Sequence, residues 1–227
     1  MGERFRGTGF KHALINTERD LLGSLSNLVD LHVSGTENFD AILKTPAIIV
    51  LFPHTSHLDS FFVRAALPKT VRGRLTFAAK ASAWGEGWRS CAGRLVTDTI
   101  PLDTDTISTN AFTTMIKRLS AGDCIGISPE GTRTLNDIDN RPFLRGIELL
   151  LKKTDYTVPI VPIVLHGLGD ILPKGASLPR IFDGHSRRKV CVDVGAPIWY
   201  RSGMEKGAIT EDLRQRCISQ YKRPLIV

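Results

Sequence analysis

Nowhere does this 227-residue chain hold the ~18 consecutive uncharged apolar residues that a membrane-crossing helix needs, so no such span is expected. Cysteine is sparse and scattered. Cys91, Cys124, Cys191 and Cys217 form no C-x-x-C, which argues against a disulfide frame or a zinc site and for reduced thiols in a cytosolic protein. Near the start stand Glu3, Arg4 and Arg6 in place of an apolar signal core, so export is not expected. Aromatic residues make up 7%, and none is spaced regularly among the basic residues, which argues against a nucleic-acid partner despite a net charge of +7. No P-loop and no H-E-x-x-H is present, and Gly85-Glu86-Gly87 is followed by Ser90 where a dinucleotide fingerprint needs a third glycine. No Cys/His cluster points to a metal. Gly126-Ile127-Ser128-Pro129-Glu130 begins like a nucleophile elbow but lacks the second glycine, so a serine hydrolase is not expected.

What remains is a globular composition, 42% hydrophobic and 23% charged, in a length that suits a single domain with a sizeable core. Charge is unevenly placed. Residues 1–140 hold 15 basic and 15 acidic residues and residues 141–227 hold 15 and 8, so the whole excess is C-terminal. A local group, Arg64, Lys69, Arg72, Arg74, Lys80, Arg89 and Arg94, is opposed only by Glu86. Such groups suit phosphate esters or an anionic membrane surface; a solvated basic face is the plainer alternative.

Residues 10–31 have helix-like apolar spacing interrupted by Glu18, Arg19 and Asp20, fitting a helix that packs on the core or lies on lipid. Strands are expected at 47–52, 75–79, 96–102, 124–127, 158–165 and 190–194. Helices are expected at 58–67, 84–95, 106–119, 143–153 and 211–221. This alternation predicts an α/β fold in one domain, with a largely parallel central sheet flanked by helices.

Three constellations carry candidate chemistry. His54 leaves the 47–52 strand five positions before Asp59, at the end of a parallel strand where ligands of open α/β sheets gather. A turn between them lets the Asp59 carboxylate fold back, fix the imidazole tautomer and stabilise its protonated form. Two other readings compete: Ser56-His57-Leu58-Asp59 matches a helix-capping pattern, and His57 is a rival base. Next comes Pro129-Glu130-Gly131-Thr132-Arg133, which exposes a carboxylate, a flexible glycine, a hydroxyl and a guanidinium together and suits a phosphate; a strand-ending turn is the alternative. Last, Val158-Pro159-Ile160-Val161-Pro162 is β-prone with two prolines, which fits either an interrupted strand shaping an apolar wall or an edge strand.

With those residues in place, the chain resembles the PlsC-like glycerolipid acyltransferases across roughly residues 32–198. His54 to Asp59 matches their H-x-x-x-x-D block, Thr99 to Asp103 lies at the second block, Pro129 to Arg133 is the P-E-G-T-R block, and Val158 to Pro162 the V-P-[IV]-x-P block. Val33 to Asn38 resembles the lead-in to the first of these. Two positions differ: Pro53 stands where asparagine is common, and Asp103 is followed by Thr104 where the family commonly has arginine. The resemblance implies an N-terminal helical segment (1–31) followed by an acyltransferase domain (32–227). It implies transfer of a fatty acyl group from acyl-CoA or acyl carrier protein, as co-substrate with no cofactor, to a lipid or phosphorylated polyol acceptor resembling lysophosphatidic acid. His54 and Asp59 are then catalytic. Lys80, Glu130, Gly131, Thr132 and Arg133 bind substrate, Glu130 ordering either the site itself or the acceptor hydroxyls, with amides near Gly131 facing the oxyanion and Lys80 supplying the positive charge absent at position 104. Such an enzyme works in the cytoplasm, peripherally on the inner face of the membrane. The alternatives are a non-catalytic lipid- or membrane-binding domain on the same fold, and an acyltransferase for an acceptor without glycerol phosphate.

Overall fold

A run of six apolar residues, Ala47–Phe52, forms strand β2, and every one of them is buried. A strand hidden on both faces belongs inside a sheet covered by helices on each side. The computed structural model describes residues 27–80, 99–102, 109–133, 138–174, 176 and 178–224. The expected 84–95 helix, most of the 10–31 segment, and residues 103 and 104 lie outside the described residues. The other strands are β1 (Asp30–Ser34), β3 (Leu75–Lys80), β4 (Thr99–Leu102), β5 (Cys124–Ile127), β6 (Ile160–His166), β7 (Phe182–Asp183), β8 (Ser186–Arg187) and β9 (Lys189–Val194). The α-helices are α1 (Asp59–Ala66), α2 (Lys69–Arg72), α3 (Thr109–Ser120), α4 (Gly146–Lys153), α5 (Leu168–Ile171) and α6 (Ala208–Tyr221).

Among the described residues the sheet has seven strands in the order β1-β9-β6-β2-β5-β3-β4, and β7-β8 make a separate ribbon. From β6 to β4 all neighbours run parallel. β9 is antiparallel to β6 and carries β1 parallel beside it. Side chains alternate between faces. Ala47, Ile49 and Leu51 join Phe62 and Val63 of α1, while Ile48, Val50 and Phe52 join Met115 of α3, Ile147 of α4 and Leu213 of α6. The fold is therefore the expected one, helices over both faces of a mostly parallel sheet.

Three local differences have physical causes. β1 begins at Asp30, so the helical reading of 10–31 stops short of that residue. β6 is interior, between β2 and β9, and the edge-strand alternative for its two prolines is overturned. Pro159 precedes the strand. Ile160 donates its N–H to Ile198 O, so Pro162, two residues on, turns its nitrogen to the same side. There β9 has ended at Val194, and residues 195–197 interrupt the ladder before the Ile160–Ile198 bridge. Proline sits where its missing donor matters least. The expected 143–153 helix starts only at Gly146, and ahead of it the Leu144 N–H donates to Pro129 O at 2.8 Å, across the fold.

The basic group read from residues 64–94 is not one surface. Arg64 is 4% exposed, donates to Leu75 O at 2.7 Å and lies over the Phe77 ring. Arg74 donates to the carbonyls of Ile42, Leu43 and Gly122. Both are structural clamps that hydrogen-bonded burial makes tolerable. Lys80 is exposed at the opposite end of β3, and Arg89 and Arg94 lie outside the described residues.

Candidate active site

Because β2, β5 and β3 are parallel, the residues following each emerge at one edge of the sheet. His54 follows β2, Glu130 follows β5, and Lys80 closes β3. This common exit brings together groups as far apart in sequence as His54 and Glu130.

After Phe52 the chain passes a cis peptide bond to Pro53 and turns into α1. His54 Nδ1 stands 2.7 Å from Asp59 Oδ2. The same oxygen accepts the N–H of Thr55 at 3.1 Å and of Ser56 at 3.2 Å. One atom of Asp59 therefore binds the backbone of the turn ahead of α1 and holds the imidazole; the helix-capping alternative is not met, because the cap residue of α1 is Leu58 and no side chain caps it. Ser56 is fully buried, accepts Leu58 N–H and donates to Leu172 O at 3.1 Å, which fixes the turn from beneath. Burial pushes the Asp59 carboxyl above its ordinary range, and the hydrogen bonds from His54, Ser56 and Thr55 oppose that push. Where Asp59 is ionised it can only accept, and Nδ1 of His54 then carries the hydrogen and leaves Nε2 with the lone pair of the neutral ring.

The rival histidine is placed differently. The imidazole on Asp59 Oδ2 is that of His54, while burial and the nearby Arg133 and His54 push His57 down to about 4. A group held neutral so far into acid is a weak base at neutral pH.

Glu130 is 6% exposed and turns inward. Its Oε1 accepts the backbone N–H of His54 at 2.7 Å, and burial raises its carboxyl. It stands behind the histidine, an arrangement that suits ordering of the site and not contact with acceptor hydroxyls. Gly131 adopts a left-handed φ of +69°, and an added Cβ there would come within 2.5 Å of Leu144. Its N–H donates to Ser128 O at 3.2 Å, so this amide is not directed at an oxyanion. Thr132 and Arg133 line the open space in front of His54, and the Thr132 carbonyl is held by Arg141 at 3.2 Å.

That space is a cleft of about 700 Å³. His54 and Asp59 border it. Lys80, Arg133 and Lys174 bring positive charge to its walls, and Phe77, Leu102, Phe112, Leu144 and Leu149 give it an apolar side. Lys174 escaped sequence reasoning because it lies outside every motif, in the loop after α5. Gly126 makes room for the Phe77 ring, which an added Cβ would approach to 2.4 Å. Chemically, a carboxylate-held imidazole beside mixed cationic and apolar walls can take a proton from a hydroxyl on an amphipathic molecule.

A family model described as Acyltransferase matches residues 30–166. None of the curated proteins matches the chain. Among solved structures it is similar to the crystal structure of the 1-acyl-sn-glycerophosphate acyltransferase PlsC from Thermotoga maritima. That likeness has a TM-score of 0.66 and 17% identity, covering 97% of this chain and 85% of that one.

Proposed function

Since the chain belongs to the acyltransferase family, we propose that it moves a fatty acyl group from an acyl thioester to the hydroxyl of a glycerophospholipid precursor. The donor is acyl-CoA or acyl carrier protein. The observation that carries this reading is the 2.7 Å contact between His54 and Asp59 at the mouth of a cleft with cationic and apolar walls.

In this reading Arg133, Lys80 and Lys174 hold an anionic head group, and the apolar wall takes the fatty chain. His54 Nε2 accepts the proton of the acceptor hydroxyl while Asp59 stabilises the resulting imidazolium. The acceptor oxygen attacks the thioester carbonyl carbon and forms the new C–O bond. As the tetrahedral species collapses, the C–S bond breaks and the imidazolium returns its proton to the thiolate. The products are an ester and a free thiol, and no acyl-enzyme is formed. The acceptor belongs to a bilayer that the protein meets peripherally; among the described residues no helix is long and apolar enough to cross a membrane.

The test is thiol release from acyl-CoA with lysophosphatidic acid as acceptor, with products identified by mass spectrometry. General-base catalysis contributes roughly 10²–10⁴-fold, so His54→Ala is expected to lose at least about two orders of magnitude in kcat with its thermal unfolding unchanged. Turnover near wild type in that variant would remove His54 from the mechanism.

A further inference from the structure

The segment between α5 and β9 supplies nothing to the His54–Asp59 pair, yet its composition is unusual. Residues 174–189 hold five basic residues, Lys174, Arg180, Arg187, Arg188 and Lys189, against one acid, Asp183. Asp183 lies 3.9 Å from Arg188, leaving the rest of the positive charge uncompensated within the segment. Leu178 is 78% exposed and Phe182 57% exposed. Phe182 stands directly across the β7–β8 ribbon from Arg187, so an apolar ring and a cation share one face. The base of the hairpin is anchored: Arg180 N–H donates to Ile171 O, Arg188 N–H donates to Ile181 O, and Ile181 packs on the core.

Position gives this segment its meaning. Cys191 near the start of β9 pairs with His166 at the end of β6, because the two strands are antiparallel. The start of β9, and the hairpin leading into it, therefore lie at the same edge of the sheet as the exits of β2, β5 and β3. Lys174, at the beginning of the segment, also lines the cleft.

We infer that the β7–β8 hairpin and its flanks, with Leu178 and Phe182 as apolar points and Arg180, Arg187 and Lys189 around them, dock the protein on an anionic lipid bilayer. Single apolar side chains protruding among cations match a layer of anionic head groups over hydrocarbon. An acidic carrier protein would share the charge complementarity but has no need of protruding apolar chains on a two-stranded ribbon. Docking here sets the cleft mouth against the surface from which a lipid acceptor is drawn. The inference rests on the acyltransferase reading for its purpose, though not for its measurement.

The full-length chain is sedimented with phosphatidylcholine vesicles, with and without phosphatidylglycerol, in the absence of any substrate. Wild type is expected to bind the anionic vesicles and to be released by salt. Leu178→Ser with Phe182→Ser, and separately Arg180→Gln with Arg187→Gln, are each expected to weaken that binding by roughly tenfold or more. Both pairs are exposed, so their unfolding transitions should match wild type, and turnover of a soluble short-chain acceptor without vesicles should be unchanged. Equal binding of wild type to neutral and anionic vesicles overturns the proposal, as does wild-type binding by both variants. Unchanged vesicle binding with lost turnover from acyl carrier protein alone also overturns it, and assigns the surface to a protein. Hairpin-dependent binding in a protein that transfers no acyl group leaves the docking surface standing and sinks the acyltransferase reading instead.

Discussion

The Glu130 carboxylate holds the backbone amide of His54 at 2.7 Å, tying the exit of β5 to the exit of β2. The nucleus of the site is thus positioned by a group that does not border the cleft. Glu130→Gln retains an oxygen that can accept the same N–H, whereas Glu130→Ala leaves it unmet. An unmet buried donor costs about 1–3 kcal/mol, so the alanine variant is expected to unfold at lower temperature and the glutamine variant near wild type. kcat should follow the same order while acceptor KM changes little. Equal loss in both variants, or a loss confined to KM, would give Glu130 a direct part in binding substrate.

His57 sets a pH dependence of stability. Its folded-state value is pushed from 6.5 to about 4, so between those limits the unfolded chain binds more protons than the folded one. Stability from this group is therefore fully present above 6.5 and is lost as pH falls toward 4. Asp59 and Glu130, both raised by burial, act in the opposite sense. Thermal unfolding of wild type and His57→Gln across that window isolates the histidine: wild type should lose more on acidification, and parallel curves would contradict its burial as a neutral ring.

Gly126 shapes the apolar wall. Gly126→Ala places a methyl against the Phe77 ring, over which the Arg64 guanidinium also lies. Overpacking of this kind costs roughly 1–3 kcal/mol. If the ring yields toward the cleft it occupies room for the fatty chain, so the variant is expected to be less stable and to prefer shorter acyl donors. A panel of acyl-CoA chain lengths checks this, and an unchanged profile would separate Phe77 from the acyl path.

Ser56 links the histidine turn to the chain leading toward the hairpin. Ser56→Ala removes an acceptor for Leu58 N–H and a donor to Leu172 O inside the protein. The expected cost is about 1–2 kcal/mol, read as a lower urea midpoint with an unchanged m-value. A variant as stable as wild type would mean that these two bonds contribute nothing net.

Much of this was legible in the chain, and the limits are instructive. Continuous apolar runs such as Ala47–Phe52 and Cys124–Ile127 announced buried strands, and the His54–Asp59 spacing announced a turn that lets the two meet. Partners distant in sequence were not legible. β1 pairs with β9 from Asp30↔Lys189 onward, and nothing local to either segment names the other. α6 begins at Ala208, three residues before its expected start, because Glu148 from α4 accepts the N–H of Gly207 and Thr210; such a cap comes from across the fold. Arg64 and Arg74 looked like surface charge because sequence shows a guanidinium but not the carbonyls waiting for it. Glu130 stands in a motif that leaves open whether it orders the site or a ligand, and only the fold reveals that its Oε1 faces the main chain.

The reversed direction of β9 has an outcome larger than its six residues. Had that strand run with β6, its leading end, and the basic ribbon attached there, would lie on the far margin of the sheet, roughly 20 Å away. Turning one strand over places arginines and the His54 imidazole on the same shore, so that whatever greets the one is within reach of the other.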